Sequence, residues 1–396
     1  MRRAVRRAAA ALLLPALAAA GCAASSAREA LRRDLAAVRA GRSEPAPSPF
    51  GVDRPGIVHC HTRLSHDSPG PLEEVVAAAR RTGTAWIALT DHSNPRITSE
   101  QPRCLVDGVL LVPGQEISAW SSSVHSVGAS RNVEKAAPRG KKWFSEYAEE
   151  IRSLGGVPVY GHMNHFGYVP RMVVDGIACY DLSEDYRDVA IRRFLPVLGC
   201  LSSGDPEASG EAYLLFVQTR QDYHRRVWDD YLAEGPCAGL AETNAHGKFR
   251  WFGRVWDPYA GLFGLVRNHA LVPALDEASL LEALRRGRVA IGFDAAADAA
   301  GARFEAFRGQ RPAAAMGDAV ALDPALSLAV HLPLPAGVRI LRDGRPWREG
   351  TGRVLQFPVD GPGVYRAEAD LAAGGAGRPW VWFNPVRVTA PAGGAR

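Results

Sequence analysis

Residues 84–92 read Thr-Ala-Trp-Ile-Ala-Leu-Thr-Asp-His. Five apolar residues, Ala85 to Leu89, run unbroken and stop at an acid and an imidazole. A short continuous apolar run bounded by polar residues suits a strand covered on both faces, as in a parallel sheet flanked by helices. The preceding stretch, Leu72 to Thr82, has the spacing of an amphipathic helix. Working outward, Gly56 to His59, Gly108 to Val112 and Val157 to Gly161 repeat the strand pattern, and Phe144 to Leu154 repeats the helical one. Helix and strand alternate from Gly51 to about Phe293, with Leu280 to Arg288 and Val289 to Phe293 as the last pair. This predicts an α/β domain of parallel strands.

The strand ends carry the chemistry. His59-Cys60-His61, Asp67, Asp91-His92, Glu116, His125, His162 and Asn244-Ala245-His246 all follow apolar runs, and parallel α/β domains gather ligands at the carboxyl ends of their strands. Divalent ions reconcile so many imidazoles and carboxylates arriving from separate strands. His59 and His61, two apart on a strand, share a face, while Cys60 between them points away. A buried carboxylate at Asp91 needs a partner, and Asp91 can orient a ligand histidine instead of binding an ion itself. Glu116 has two oxygens and can bridge two ions. His162 is preferred to its rival His165, and His66 reads as a supporting or exposed group. Arg63 and Arg171 are candidate phosphate clamps, with a solvated role as the plainer reading.

In order, these residues spell HxHT, SxD, TDH, GxE, H, GH and NxH, a set that resembles the PHP superfamily, named for polymerase and histidinol phosphatase, over residues 51 to about 293. The resemblance implies a distorted seven-stranded (β/α) barrel that binds two or three zinc, manganese or iron ions and hydrolyses phosphoesters with a metal-activated water. It further implies that His59, His61, Glu116 and Asn244 hold one ion. Glu116, His125 and His162 would hold a second, and Asp67, His92 and His246 a third. His246, His92 and His165 are the candidates to protonate the leaving group. Family members usually carry Asp where this chain has the neutral amide of Asn244.

Beyond Ala313 the texture changes to apolar or alternating runs separated by turns such as Arg342-Asp343-Gly344 and Asp360-Gly361-Pro362-Gly363. Residues 313–396 are therefore expected to form a small antiparallel β-sandwich, similar to the companion domain of some exported PHP proteins. Residues 23–50 read as a linker: a short helical pattern, Glu29 to Arg39, followed by Ser, Glu, Ala and Pro.

The first 22 residues have the parts of an export signal. Arg2, Arg3, Arg6 and Arg7 precede an apolar run from Ala8 to Ala20, and Ala19-Ala20-Gly21 before Cys22 resembles a bacterial lipoprotein cleavage box. That run is too short for a membrane-crossing helix. The expectation is an exported protein, periplasmic or anchored by a lipid on Cys22. Without those four arginines the formal net charge falls from +5 to +1, and no basic stripe suggests a nucleic-acid partner. The remaining cysteines, Cys60, Cys104, Cys179, Cys200 and Cys237, are an odd, scattered set and form no disulfide framework.

The expected substrate is a small phosphoester. Two competing readings use the same residues: hydrolysis of carboxylic or carbamate esters, and a metal-binding surface lipoprotein without catalysis, which Asn244 favours.

Overall fold

The structure is a computed structural model that describes residues 26–119, 122–134, 144–163, 174–186, 205–251, 254–255 and 257–391. Cys22 and the leader, His165, Arg171 and Cys200 lie outside the described residues.

The chain is mixed α/β and built on one large sheet. Its first strands are β1 (Val52–Cys60), β2 (Trp86–Leu89), β3 (Asp91–His92), β4 (Cys104–Val106), β5 (Val109–Val112), β6 (Gly114–Ala119), β7 (Ser122–Val127), β8 (Val157–Gly161), β9 (Gly176–Asp181) and β10 (Ala238–Ala245). β1 runs parallel to β2, β2 to β5, and β3 to β6. β8 runs parallel to β9, β9 to β10, and β10 to β1. β7 is antiparallel to both β6 and β8, against the all-parallel expectation. Only two residues separate Ala119 from Ser122, which is too few for the crossover a parallel neighbour needs.

The helix Leu72–Thr82 buries Val75, Val76, Ala78 and Ala79 against the sheet. It stops at Gly83, whose φ of 68° closes the last turn by donating to the carbonyls of Ala79 and Arg80. The small hairpin β11 (Arg250–Trp251) and β12 (Arg254–Val255) follows the last histidine of the candidate site. β13 (Arg267–Val272) then pairs antiparallel with β1 and with β14 (Val289–Gly292).

Near the start of β1 an ionic knot fastens these elements. His269 Nδ1 lies 3.1 Å from Asp53 Oδ2 and its Nε2 lies 3.0 Å from Asp294 Oδ2. Arg267 adds contacts to Asp294 at 2.7 Å and to Asp298 at 3.1 Å. Both nitrogens of the buried ring face carboxylates, so the imidazolium form is the stable one. Burial opposes that charge, yet Asp53 and Asp294 prevail and hold His269 at about 10.

The remaining strands are β15 (Arg303–Arg308), β16 (Arg311–Ala315), β17 (Ala319–Ala321), β18 (Leu326–Arg342), β19 (Arg345–Pro358), β20 (Gly363–Ala373), β21 (Ala376–Phe383) and β22 (Val386–Thr389). Their pairings are antiparallel except for β17 with β22. The β-rich part thus begins ten residues before the expected Ala313, because β15 pairs with β18 over its full length. It also continues the sheet of the first part, since β14 pairs with β21. Trp380, Trp382 and Phe383 on β21 are completely buried, which makes this junction a core.

The described part of the expected linker 23–50 begins with a docked helix. Residues 26–40 are helical, and Leu31, Leu35 and Val38, spaced along one face, pack into the main core. Arg28 and Arg32 pair with the buried Glu211, while Arg39 donates to the carbonyls of Ala295 and Ala296. Asp34 accepts from the Gly374 amide, so the helix touches both halves of the chain. Leu31→Ala is expected to cost about 2–5 kcal/mol by leaving a core cavity, measured as a shift in urea midpoint; an unchanged midpoint would return this segment to the status of a tether. Among the described residues no helix is long and apolar enough to cross a membrane.

Candidate metal centre

The carboxyl ends of β1, β2, β8, β9 and β10 converge, and the candidate residues stand there. His59 and His61 close β1, where the ladders to both neighbours slip between Val58 and Cys60 and His59 takes a φ of 72°. This kink, and not plain alternation, aims both rings inward. Their Nε2 atoms are 3.0 Å apart, and Cys60 turns into the apolar core. Two nitrogens bound at right angles to one ion, each at about 2.1 Å, stand roughly 3.0 Å from each other. His162 and Asn244 also have left-handed backbones, with φ of 45° and 49°. Half of the six non-glycine residues with positive φ among the described residues therefore cluster at this site, where stored strain commonly accompanies function.

Glu116 is the hub. Strand register puts it opposite His92 on β3 and opposite His125 on β7. Its Oε2 lies 3.4 Å from His59 Nε2, 3.3 Å from His61 Nε2 and 3.3 Å from His92 Nδ1, and its Oε1 lies 3.7 Å from His162 Nε2. On the more open side, Asp67 stands 2.9 Å from His246 Nε2 and 3.5 Å from His92 Nε2. These three residues and His61 offer ligand atoms all within 4.8 Å of one another. His66 lies tilted against His92 with ring centres 4.7 Å apart, and Arg63 is exposed.

Supporting contacts fix which nitrogen faces inward. The Asn244 carbonyl can only accept, so His246 Nδ1 carries the proton at 2.8 Å from it and leaves Nε2 bare. His162 Nδ1 is held by Asp181 at 2.9 Å. Ser65 Oγ lies 2.8 Å from His61 Nδ1 and donates to Asp91 at 3.0 Å. Asp91 also accepts from the Thr62 amide and from Gln101, so it orients a ligand histidine through Ser65 while its own oxygens are saturated.

Two acids escaped the sequence reading, Glu242 and Asp181. Each is completely buried at the tip of an apolar run, Ala238 to Ala241 and Gly176 to Tyr180, the same signature that marked Asp91. Glu242 had been passed over for Asn244, two residues on. Its Oε1 lies 2.6 Å from His125 Nδ1 and its Oε2 lies 3.5 Å from His59 Nδ1. Gly161 is required beside them, since a Cβ there would come within 2.4 Å of the His125 ring and 2.7 Å of Glu242 Oε1.

The donor set fits divalent cations. His59 Nδ1, Asp67 Oδ1, His125 Nδ1, Asn244 Oδ1 and both oxygens of Glu242 are buried without a hydrogen-bond partner. Native proteins rarely leave buried polar atoms so, and several in one place point to an ion that they share. Burial raises Glu116 and Glu242, but the facing imidazoles override it and hold both carboxyls well below their ordinary range. Burial lowers His61, His125 and His246, the last to about 4, with nearby carboxylates offsetting it only in part. Burial also opposes charge on His59 and His162, but Glu116 and Glu242 outweigh it and hold His59 at about 10, and Asp181 raises His162. The carboxylates and His61, His125 and His246 thus favour the protonation states that metal ligation needs, while His59 and His162 would give up a proton on binding an ion.

The family model of the PHP domain matches residues 58–224. That span contains His59, His61, Asp67, His92, Glu116, His125 and His162, while Asn244 and His246 lie beyond it. Among solved structures, the crystal structure of a two-domain protein from Bacteroides vulgatus that contains a predicted PHP-like metal-dependent phosphoesterase matches with 14% identity. The match covers 86% of this chain and 98% of that one, with a TM-score of 0.38. No curated protein matches. The family model alone carries the assignment, and by it residues 58–224 are identified as a PHP domain.

Proposed function

We propose that the chain is a metal-dependent hydrolase of phosphoesters, acting at two or three divalent ions held by His59, His61, Asp67, His92, Glu116, His125, His162 and His246. The observation that carries this reading is Glu116, one carboxylate faced by four imidazoles at 3.3–3.7 Å and surrounded by buried donors with nothing to bond. Ions bound there would supply a water that ionises near neutral pH and positive charge to offset the phosphoryl oxygens. No side-chain nucleophile is required.

The chain's own residues divide the work. His59, His125 and Glu242 are sealed from solvent, whereas the Asp67, His92 and His162 side chains keep 29%, 22% and 27% of their exposure; substrate enters from the Asp67 side, where Lys248 adds a positive charge. Lys248 Nζ stands at that rim, 3.8 Å from Asp67, and can take a phosphoryl oxygen. His92 and His246 flank the same opening and are placed to pass a proton to the leaving group. The Glu242 carboxylate weakens the non-catalytic alternative, which drew its support from the neutral Asn244. The pairings of β1 with β2 and β10, of β2 with β5, of β3 with β6, and from β6 through β7, β8 and β9 to β10 support reading the first part, residues 51–300, as the distorted seven-stranded barrel. Export with a lipid on Cys22 rests on the leader alone.

The test is turnover of p-nitrophenyl phosphate and bis-p-nitrophenyl phosphate by the purified protein before and after chelation. Chelation is expected to lower the rate by roughly 10²-fold or more, with recovery on adding back zinc, manganese or iron(II). An unaffected rate, or full metal loading with no turnover of either ester, would sink this reading.

A further inference from the structure

Asn244 occupies the place where PHP proteins usually have a carboxylate, and a carboxylate stands two residues earlier on the same strand, with its side chain already among the imidazoles. We propose that Glu242 and His125 hold an enclosed, slowly exchanging ion, separate from the ion faced by Asp67, His92 and His246. The inference rests on the metal-dependent reading above and extends it to a residue that the sequence reading passed over.

The argument begins with His125. Its Nε2 lies 2.8 Å from Ser123 Oγ, which leaves Nδ1 to face Glu242 Oε1 at 2.6 Å. At that separation a nitrogen and an oxygen either share a proton or carry lone pairs toward a common cation. At that distance neither atom meets the geometry of a hydrogen bond with the other or with any other partner. Two lone pairs 2.6 Å apart in a dry pocket repel each other unless something positive lies beside both. Glu242 Oε2 is likewise without a hydrogen bond, and it faces His59 Nδ1 across 3.5 Å. The three ligand atoms lie within 4.8 Å of one another, a spacing that one ion can span.

Burial separates this pocket from the open one. His59, His125 and Glu242 are 0% exposed, and Gly161 seals one wall at a distance that admits no side chain. Asp67 and His92 are reached by water. An ion on Glu242 and His125 therefore reaches solvent only past neighbouring ligands such as His162, whose side chain keeps 27% of its exposure, whereas the outer ion leaves directly into solvent.

The test loads the full-length protein with cobalt(II), removes the excess, and follows release to a chelator by visible absorption and by elemental analysis. The unmodified protein is expected to release cobalt in two phases, with rates differing by at least about tenfold. Glu242→Gln keeps the volume and the ability to accept a hydrogen bond from His59 but removes the anionic ligand. It is expected to lose the slow phase, about one metal equivalent, and to keep the fast phase, which also reports a folded site. His125→Gln should give the same result. Asn244→Ala should retain both phases. Retention of the slow phase in Glu242→Gln, loss of both phases, or a single phase in the unmodified protein each overturns the proposal. A protein that retains no cobalt at all refutes the metal-dependent reading beneath it.

Discussion

Replacing Glu116 with Gln is expected to lower phosphoester hydrolysis by roughly 10³-fold, the loss that follows when several kcal/mol of charge stabilisation leave a metal site. Its two oxygens face His59, His61 and His92 on one side and His162 on the other. Removing the charge should weaken ion binding on both sides together. The metal-free protein should lose some stability as well, because burial opposes the charge but the facing imidazoles outweigh it and hold this carboxyl below its ordinary range. The two measurements pull apart: initial rate and metal content should collapse while circular dichroism shows the chelated variant still folded at the assay temperature. A variant that keeps its metal and its rate would remove Glu116 from the centre of the site. A variant that loses both only by unfolding would make it a structural residue.

The second large effect concerns stability and lies near the other end of β1. His269→Asn is expected to cost about 3–5 kcal/mol, because it strands the Asp53 and Asp294 carboxylates after removing the cation between them. The pH dependence carries a defined sign. His269 stands near 10 in the folded protein and about 6.5 in the unfolded chain, so its contribution is complete below about pH 6.5 and disappears as pH rises through 10. Burial raises Asp294, but Arg267 and His269 override it and hold its carboxyl below the ordinary range. The share that Asp294 contributes is present above about pH 4 and is lost as pH falls through its folded value. Thermal midpoints of the unmodified protein should therefore decline from pH 7 to pH 10, and His269→Asn should flatten that decline. An equally steep decline in the variant would assign it to other groups.

Much of the site was legible because its ligands follow one local rule, an apolar strand ending in a polar tip. That rule marks His59, Asp91 and Glu116 from the sequence, and applied evenly it also marks Asp181 and Glu242. Choosing between Glu242 and Asn244 needed more, since residues two apart on a strand share a face and only the backbone turn at Asn244 separates their surroundings. The inward turn of His59 depends on a slip in two ladders at once, information held by the neighbouring strands β2 and β10. In the β-rich part, Leu326 to Leu332 and Val338 to Leu341 read as two strands because Pro333 and Pro335 intervene. They belong to a single strand, β18, whose pairing with β19 skips from His331 to Ala336 and so spares both prolines a ladder bond. The helical character of residues 26–40 was visible in its spacing, but its docking was not. Glu211, Ala295 and Gly374 receive it, each more than 170 residues away along the chain.

That docked helix bears on how an acylated form would sit in a cell envelope. Cys22 precedes its first described residue by four positions, and four residues span at most about 14 Å. A lipid on that cysteine would hold the whole body close against the bilayer, with no leash on which to swing. The opening beside Asp67 would then keep a fixed bearing to the headgroups, and the geometry of attachment would select which esters in that thin aqueous layer ever reach it.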